Sequence, residues 1–455
     1  MNQKENIDEY IDRQLNRQIE DICRLVRIES VRQEPLPGKP FGEGPWAALE
    51  TALDIARAKG FPARSIDGCV GVVEAGGLEE GIDILAHLDV VPAGTGWTVT
   101  APFCPLLHDG KLYGRGAADN KGPAVSVLYA LDAVRSLGIP LRRRVRILWG
   151  TAEETGCEDL PHFYGRYRPA PMTVSPDAAF PVITREKGRF EAHMTGEYQE
   201  GDVLRIDCDG PANGVPASAS AVLGPWKEEE EVKRRLDQAG VPYQLHRQRE
   251  GLKLTVKGKA AHSASPQKGD NALVKLLALL ARLPGTQTRL KEMAGVFPHG
   301  DHFGTSFGIS PVGEERFTIS LNRLSWNPKA GLVGVCDCRV PAGMTEDMTA
   351  APVRKMLGAM GIRVEGDWVA PHTVPDDSEF VRTLLRCWEE CSKRPGAVKS
   401  IAGNTYAHGI PGAVAYGFAD PEIRTGTHGP DEYVSISQLV LGTRIYAHMI
   451  WELCR

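Results

Sequence analysis

Six residues that can bind a metal ion or carry protons stand in five short segments spread along the chain. They are His87, Asp119, the adjacent pair Glu153 and Glu154, Asp177 and His428. Imidazole and carboxylate groups together form the ligand set of borderline or hard divalent metal ions, zinc among them. None of the six is a cysteine, so a structural site of the zinc-finger type is not expected. The set predicts a metal site.

Each of these residues also has an ordinary structural interpretation. A histidine at a strand end is commonly a satisfied structural residue, and a Glu-Glu pair is commonly solvated surface. An aspartate just before a helix, such as Asp119, is commonly an N-cap. The recurrence of the same chemistry at five successive strand ends or loops favours the metal site.

The hydrophobic pattern predicts the elements that bring these residues together. Short apolar strands are predicted at 82–86, 145–149 and 172–174. A helix at about 124–134 lies between the first two, and this strand–helix alternation predicts an α/β domain with a mostly parallel sheet. Ligands of such sheets bind outside the carboxyl ends of the strands. His87, Glu153 and Asp177 follow those ends.

The pattern changes after about Pro181. Strands are predicted at 252–256, 317–321 and 332–339, and helices at 271–283 and 352–360. The first two strands alternate apolar and polar residues, which indicates a sheet with one solvated face. We therefore predict an inserted α+β lid domain at 183–375, within a catalytic α/β domain made of residues 1–182 and 376–455.

The composition indicates a protein without a nucleic-acid or membrane partner. The 53 basic and 58 acidic residues give a formal net charge of -5, whereas nucleic-acid binding normally requires a basic field. The spacing of apolar residues in the N-terminal segment indicates an amphipathic helix. The most apolar run, 272–283, is interrupted by Lys275 and Arg282, so no stretch is expected to span a membrane. Ten scattered cysteines indicate reduced thiols, so we predict a cytoplasmic protein.

The candidate residues lie in five motifs that together resemble a known family. The motifs are His87-Leu88-Asp89-Val90-Val91-Pro92, Gly114-Arg115-Gly116 with Asp119-Asn120-Lys121-Gly122, Glu153-Glu154-Thr155-Gly156, Ser175-Pro176-Asp177 and His428-Gly429-Pro430-Asp431-Glu432. In order and spacing they are similar to those of the co-catalytic zinc metallopeptidases, which include carnosinases, aminoacylases and succinyl-diaminopimelate desuccinylase. The long insertion and the Ser175-Pro176-Asp177 variant resemble PepV-type dipeptidases most.

The resemblance implies two bound zinc ions, with manganese or cobalt as possible replacements. It implies that His87 and Asp177 bind one metal ion. Glu154 and His428 would bind the other, and Asp119 would bridge the two. These ligand types suit zinc, but they suit manganese and cobalt as well.

The resemblance also implies which groups move protons. Glu153 would be the general base that takes a proton from a water bridging the metals, and Asp89 would support the ring of His87 from behind. Two adjacent glutamates then have different tasks, because a carboxylate that binds metal cannot easily also be the base. The peptide bond between Asp119 and Asn120 is expected to be cis.

Further substrate contacts are implied by the same resemblance. His262, in the inserted domain, would stabilise the oxyanion, and Arg339 would hold the substrate carboxylate through its guanidinium fork. A surface-loop histidine and a strand-edge salt bridge are the structural alternatives for these two. Asn213, Gly403 and Thr405 are further candidate substrate contacts.

The loop around Gly403 departs from the family pattern. Ala402 and Asn404 replace glycines of the PepV relatives, which leaves the detailed contacts of this loop open. The function expected from all of these features is metal-dependent hydrolysis of dipeptides by a monomer. Hydrolysis of N-acyl amino acids or succinylated diamines is the nearest alternative. A non-catalytic binding protein would be expected to lack Glu153 or a ligand.

Overall fold

A computed structural model of the protein describes residues 3–224 and 229–455. The chain packs as two compact units, Met1–Arg185 with Thr373–Arg455, and Glu186–His372. Each unit has its own β-sheet and its own apolar core. Within the described ranges, no helix has both the length and the apolar composition that crossing a bilayer requires.

Helices and strands alternate along the first part of the chain and again after the insertion. The first part contains α1 (Gln3–Val26), α2 (Glu43–Ala58), β1 (Ala63–Ile66), β2 (Val70–Ala75), β3 (Glu79–His87), β4 (Leu106–His108), β5 (Lys111–Tyr113), α3 (Lys121–Ser136), β6 (Arg143–Gly150), α4 (Leu160–Tyr164), β7 (Met172–Ser175), β8 (Ala178–Ala179) and β9 (Val182–Glu186). The insertion contains β10 (Gly188–Gly196), β11 (Val203–Cys208), β12 (Gly214–Val215), β13 (Ser218–Leu223), α5 (Glu229–Asp237), β14 (Tyr243–Gln248), β15 (Gly251–Lys257), β16 (Ala261–His262), α6 (Ala272–Leu280), α7 (Thr288–Val296), β17 (Thr318–Asn327), β18 (Gly331–Val340), α8 (Ala350–Ala359), β19 (Arg363–Glu365) and β20 (Trp368–Val369). The remainder contains β21 (His372–Thr373), α9 (Glu379–Ser392), β22 (Val398–Ile401), β23 (Ala413–Ala415), β24 (Phe418–Ala419), β25 (Tyr433–Ser435) and α10 (Ile436–Cys454).

The first unit is built on a nine-stranded sheet whose centre is parallel. Its order is β1-β2-β6-β3-β7-β23-β9-β21, and β22 pairs with β9. The strands β6, β3, β7 and β23 are parallel to one another, whereas β1 pairs antiparallel with β2, β2 with β6, and β9 with β23. The predicted α/β fold is confirmed. The parallel register places His87 beside Gly150, so the loops that follow β3 and β6 leave the sheet side by side.

Helices cover this sheet because their apolar residues repeat at helical spacing. On α1, Ile7, Ile11 and Ile22 are buried, which confirms the predicted amphipathic helix. α3 is buried from Lys121 to Val134 and packs against α1 and α10. Burying a leucine or isoleucine side chain stabilises a fold by roughly 1.5–3 kcal/mol. This packing holds the start of α3, and the loop that carries Asp119, against a rigid layer.

The second unit is an antiparallel sheet with helices, and it confirms the predicted α+β insertion. The sheet order is β14-β15-β13-β11-β17-β18-β10-β19, and β20 pairs with β10. One part of the prediction is wrong, because β17 and β18 are largely buried on both faces. The segments around Ala212 and Ser263 cover the polar residues Thr318 and Asn322 of β17 and bond to them. The predicted alternation is confirmed in β15, where Leu252, Leu254 and Val256 are buried and Lys253 and Thr255 are half-buried, and β10 shows the same pattern.

Candidate metal centre and active site

Three of the candidate ligands meet at the carboxyl edge of the parallel sheet. The Nε2 atom of His87, at the end of β3, lies 3.1 Å from Asp119 Oδ1 and 3.7 Å from Asp177 Oδ1. One ligand atom from each of the three residues lies within 4.8 Å of the other two. His87 is fully buried, so the sheet fixes its position. These residues could hold one metal ion.

Asp119 belongs to a second cluster as well. Its other oxygen, Oδ2, lies 3.1 Å from Nε2 of His428, which in turn lies 3.1 Å from Glu154 Oε1. Asp119, Glu154 and His428 therefore form a second group that could hold an ion. The two oxygens of one carboxylate face two different histidines, and this donor arrangement fits a pair of ions that share Asp119. The Asp119–Asn120 peptide bond is cis, as expected.

The crowding of carboxylates raises the pKa of both imidazoles. Hydrogen bonds to Asp119 and Glu154 raise the pKa of His428 to about 10. Burial alone would lower the pKa of His87. The negative charge of Asp177 and hydrogen bonds to Asp119, Asp177 and Asp89 outweigh burial, so the pKa of His87 lies well above its ordinary value. Burial and nearby carboxylates raise the pKa of Asp177 to about 7. The site is therefore rich in negative charge, which suits divalent cations.

Asp89 holds the turn that presents the two glutamates. Its Oδ1 accepts a hydrogen bond from the backbone N–H of Glu153 at 3.2 Å, and its Oδ2 accepts one from Glu154 at 3.1 Å. The Nδ1 atom of His87 lies 3.0 Å from the backbone carbonyl of Asp89 and 3.4 Å from its carboxylate. One buried side chain thus contacts both a candidate ligand and the turn that carries the candidate base.

Glu153 lies in the short 3₁₀ turn Glu153–Thr155 after β6. Burial, together with the charge of Asp177, raises the pKa of Glu153 well above its ordinary value. A carboxylate with a raised pKa accepts a proton more readily than one in water. This environment suits a general base.

Asp159 is a second buried carboxylate behind this turn, and no motif in the sequence pointed to it. Its Oδ2 accepts hydrogen bonds from the backbone N–H of Thr151 at 2.5 Å and Ala152 at 2.9 Å. The hydroxyl of Tyr406 donates to the same oxygen at 2.5 Å. A Cβ atom at Gly150 would lie 1.9 Å from that hydroxyl oxygen, so only glycine fits there.

Tyr406 connects the 402–410 loop to His87. Its ring is buried and lies edge-on to the imidazole of His87, with ring centroids 6.3 Å apart. In the same loop Gly403 is exposed, whereas Thr405 is buried and its hydroxyl accepts a hydrogen bond from the Ala407 N–H at 3.1 Å. From the sequence, Tyr406 could be placed in the candidate substrate loop, but its contacts with Asp159 and His87 could not be predicted.

Glu432 fastens the loop that carries Asp119. Its carboxylate is fully buried and accepts hydrogen bonds from the backbone N–H groups of Gly116, Ala118 and Asp119 at 3.0–3.1 Å. It also pairs with the buried guanidinium of Arg115 at 2.6 Å. Glu432 was part of a recognised motif, but its carboxylate was not assigned a task from the sequence.

The candidate substrate residues of the second unit lie in two groups. Asn213 precedes β12, which pairs with β16 so that Gly214 lies opposite His262. Burial and the charge of Arg339 lower the pKa of His262, which favours a neutral imidazole. The guanidinium of Arg339 donates to Asp337 Oδ2 at 3.0 and 3.2 Å.

The class of protein follows from the fold and from a comparison of sequences. The sequence profile of Peptidase family M20/M25/M40 matches residues 84–452, and the chain belongs to this family. The protein "Putative dipeptidase YtjP" of Bacillus subtilis is 32% identical, over 96% of this chain and 97% of that one. The resemblance found in the sequence motifs is therefore confirmed.

Two solved structures show the same fold. Human carnosine dipeptidase 1 has a TM-score of 0.63 and 17% sequence identity, over 99% of this chain and 98% of that chain. Bacillus subtilis YxeP, described as a dinuclear metal binding peptidase from the M20 family, has a TM-score of 0.51 and 12% identity. That match covers 96% of this chain and 98% of YxeP.

Proposed function

We propose that the protein is a zinc-dependent dipeptidase of the cytoplasm that acts as a monomer. The observation that carries the proposal is the shared carboxylate of Asp119, whose two oxygens face His87 and His428 at 3.1 Å. The names of YtjP and of carnosine dipeptidase 1 support dipeptides as the substrate class. The unit formed by Met1–Arg185 and Thr373–Arg455 is the catalytic domain in this proposal, and Glu186–His372 is the lid.

The proposed metal ligands are the two clusters that share Asp119. His87 and Asp177 complete one cluster, and Glu154 and His428 complete the other. Divalent ions bound there supply Lewis-acid chemistry, because they polarise a carbonyl oxygen and lower the pKa of water. Zinc suits this mixture of imidazole and carboxylate ligands, and manganese or cobalt would also fit.

Glu153 moves the protons in the proposed reaction. Its carboxylate accepts a proton from the attacking water and passes it to the amine that leaves when the peptide bond breaks. Asp89 keeps the Glu153 backbone in place through the hydrogen bond to its N–H group. Burial, which raises the pKa of Glu153, makes this carboxylate a stronger base.

The remaining residues are proposed to recognise the substrate. A neutral His262 donates a hydrogen bond to the developing oxyanion, and Arg339 binds the carboxylate of the second residue. Asn213, Gly403 and Thr405 are further proposed contacts. Gly403 is exposed and can approach a ligand directly, whereas the hydroxyl of Thr405 already bonds to the turn that contains it.

The proposal is tested by a panel of dipeptides, tripeptides and N-acyl amino acids, with chelator and then with zinc or manganese restored. Cleavage of dipeptides alone, lost with chelator and recovered with metal, is the expected result. A preference for N-acyl amino acids would show that the protein is a deacylase that uses the same metal centre. No cleavage with either metal would overturn the proposed activity.

A further inference from the structure

A thiol, an imidazole and a carboxylate form a second polar cluster in the first unit, apart from the candidate metal ligands. The Sγ atom of Cys391, on α9, lies 3.3 Å from Nδ1 of His448, on α10. The Nε2 atom of the same ring lies 3.0 Å from Oδ1 of Asp8, on α1. In this order the three groups are a nucleophile, a base and the group that orients the base.

Side-chain pairs between α1 and α10 hold the imidazole in place. Residues four positions apart on a helix share one face. The pairs are Lys4 with Glu452 at 2.8 Å, Asp8 with His448 at 3.0 Å, and Asp12 with Arg444 at 2.7 Å. His448 has the middle place and is buried, so its ring is fixed between Asp8 and Cys391.

The carboxylate of Asp8 determines which ring nitrogen of His448 carries the proton. A carboxylate only accepts hydrogen bonds, so Nε2 must donate to it. In the neutral ring Nδ1 is then an acceptor, and the thiol of Cys391 donates to it. His448 can therefore take the proton of Cys391, and the charge of Asp8 stabilises the imidazolium that results.

The thiol of Cys391 depends on this base for its reactivity. Burial, together with the charges of Asp8 and Glu390, raises the pKa of Cys391 to about 12, so the resting group is protonated. Thiols react as thiolates. Proton transfer to His448 supplies the thiolate at the moment of attack. The side chain of Cys391 is half-buried, which favours a reagent of very small size.

We propose that Cys391 is a site of oxidation by peroxides, with His448 as its base and Asp8 as the residue that positions the base. The sulfur attacks one oxygen of hydrogen peroxide while the thiol proton passes to Nδ1 of His448. The O–O bond breaks, and the leaving hydroxide takes the proton from Nδ1 and becomes water. One thiol and one peroxide thus give one sulfenic acid and one water. The proposed peptidase activity takes no part in this step.

The test measures the oxidation rate of each cysteine in the reduced protein at neutral pH. After hydrogen peroxide is removed, the protein is denatured and the remaining thiols are alkylated with iodoacetamide, so peptide mass spectrometry gives the oxidised fraction. Cys23 is the comparison within the molecule. It is also half-buried on a helix and burial raises its pKa, but no hydrogen bond joins it to a histidine of the described chain.

Cys391 is expected to be oxidised roughly ten-fold faster than Cys23, because only Cys391 has a general base. In His448→Gln this advantage should be lost, since glutamine is polar but cannot take the thiol proton. The rates of Cys23 and of the exposed Cys104 should not change. A rate for Cys391 no higher than that for Cys23, or an equal rate in His448→Gln, would overturn the inference.

A second pair of variants covers the case in which His448→Gln does not fold. Asp8→Asn keeps the shape of the half-buried side chain and removes its charge, so Cys391 should be oxidised several-fold more slowly. Asp12→Asn is the matched control, because Asp12 lies one turn further along α1 and pairs with Arg444. It should leave the rate unchanged. Equal rates of Cys391 oxidation in the two variants would refute the role of Asp8 and with it the proposed site.

Discussion

Glu432 Oε1 accepts a hydrogen bond from the backbone N–H of Asp119 at a distance of 3.1 Å. The same carboxylate pairs with Arg115 and accepts from two further N–H groups of that loop. Glu432 follows His428 by four residues, so one buried side chain joins the loop of the shared ligand to the loop of a second ligand. The spacing of the two clusters depends on this connection.

We expect Glu432→Gln to lower the free energy of unfolding by about 3 kcal/mol, because it leaves the buried charge of Arg115 without its partner. Urea denaturation measures this loss. Asp431→Asn is the control, since the exposed carboxylate of Asp431 bonds to Thr98 at the surface and its loss should be much smaller. Similar losses in both variants would contradict the role given to Glu432.

We expect Tyr406→Phe to lower the free energy of unfolding by about 1.5 kcal/mol, the contribution of a hydrogen bond to a charged group. It should also reduce kcat several-fold, because Asp159 then holds the turn before Glu153 less firmly. Denaturation and steady-state kinetics measure the two effects. Tyr416→Phe removes a buried hydroxyl bond to the Leu384 carbonyl, and it should cost stability without reducing kcat. A kcat loss as large as that of Tyr406→Phe would refute the assignment.

The ligands of the site could be predicted because strand ends are visible in the sequence. Apolar runs locate β3, β6 and β7, and the first groups at or after their ends that can bind metal or carry protons are His87, the pair Glu153 and Glu154, and Asp177. Parallel pairing then brings them to one edge without further information. This is why the predicted ligands fall into two clusters that share Asp119.

The residues that hold the ligands could not be predicted in the same way. Asp159 and Tyr406 are 247 positions apart, and their hydrogen bond forms only after the sheet and the 402–410 loop have packed. The burial of β17 on both faces also depends on distant segments that cover Thr318 and Asn322. Local periodicity carries no signal for such contacts.

We expect zinc to stabilise the metal-free protein more at pH 8 than at pH 6. The pKa of Asp177 is about 7 without metal, so its carboxyl group is mostly protonated at pH 6 and mostly ionised at pH 8. Protons and zinc compete for the same ligand atoms, so a proton must leave Asp177 before its carboxylate can bind zinc. The imidazole of His428, with a pKa of about 10, must also lose a proton, which likewise makes zinc binding stronger at the higher pH. Thermal unfolding with and without zinc measures the gain in Tm at each pH. An equal or smaller gain at pH 8 would contradict this ligand set.

We expect Asn322→Leu to raise KM for dipeptides several-fold with a smaller effect on kcat. The Nδ2 atom of Asn322 donates to the Ala212 carbonyl and to Ser263 Oγ, and these neighbours precede and follow the proposed contacts Asn213 and His262. Leucine has a similar volume but donates no hydrogen bond. The segments at Ala212 and Ser263 therefore lose the hydrogen bonds that hold them to β17. Steady-state kinetics with L-alanyl-L-alanine measures the change.

Asn327→Leu is the control for this variant. Asn327 is the last residue of the same strand, and its Oδ1 accepts hydrogen bonds from the backbone N–H groups of Lys329 and Ala330. It should leave KM unchanged. A KM increase in Asn327→Leu as large as that in Asn322→Leu would point to a general loss of stability in the second unit.

The central claim is that Glu153 moves protons while the neighbouring carboxylates hold metal. The most direct test measures kcat and bound metal together in Glu153→Gln, with Glu158→Gln, an exposed glutamate paired with Arg32, as the control. We expect Glu153→Gln to keep the metal content of the wild type and to lose roughly 10²–10⁴-fold in kcat, while the control keeps both. Turnover within a few-fold of the wild type, or loss of metal together with activity, would contradict the account.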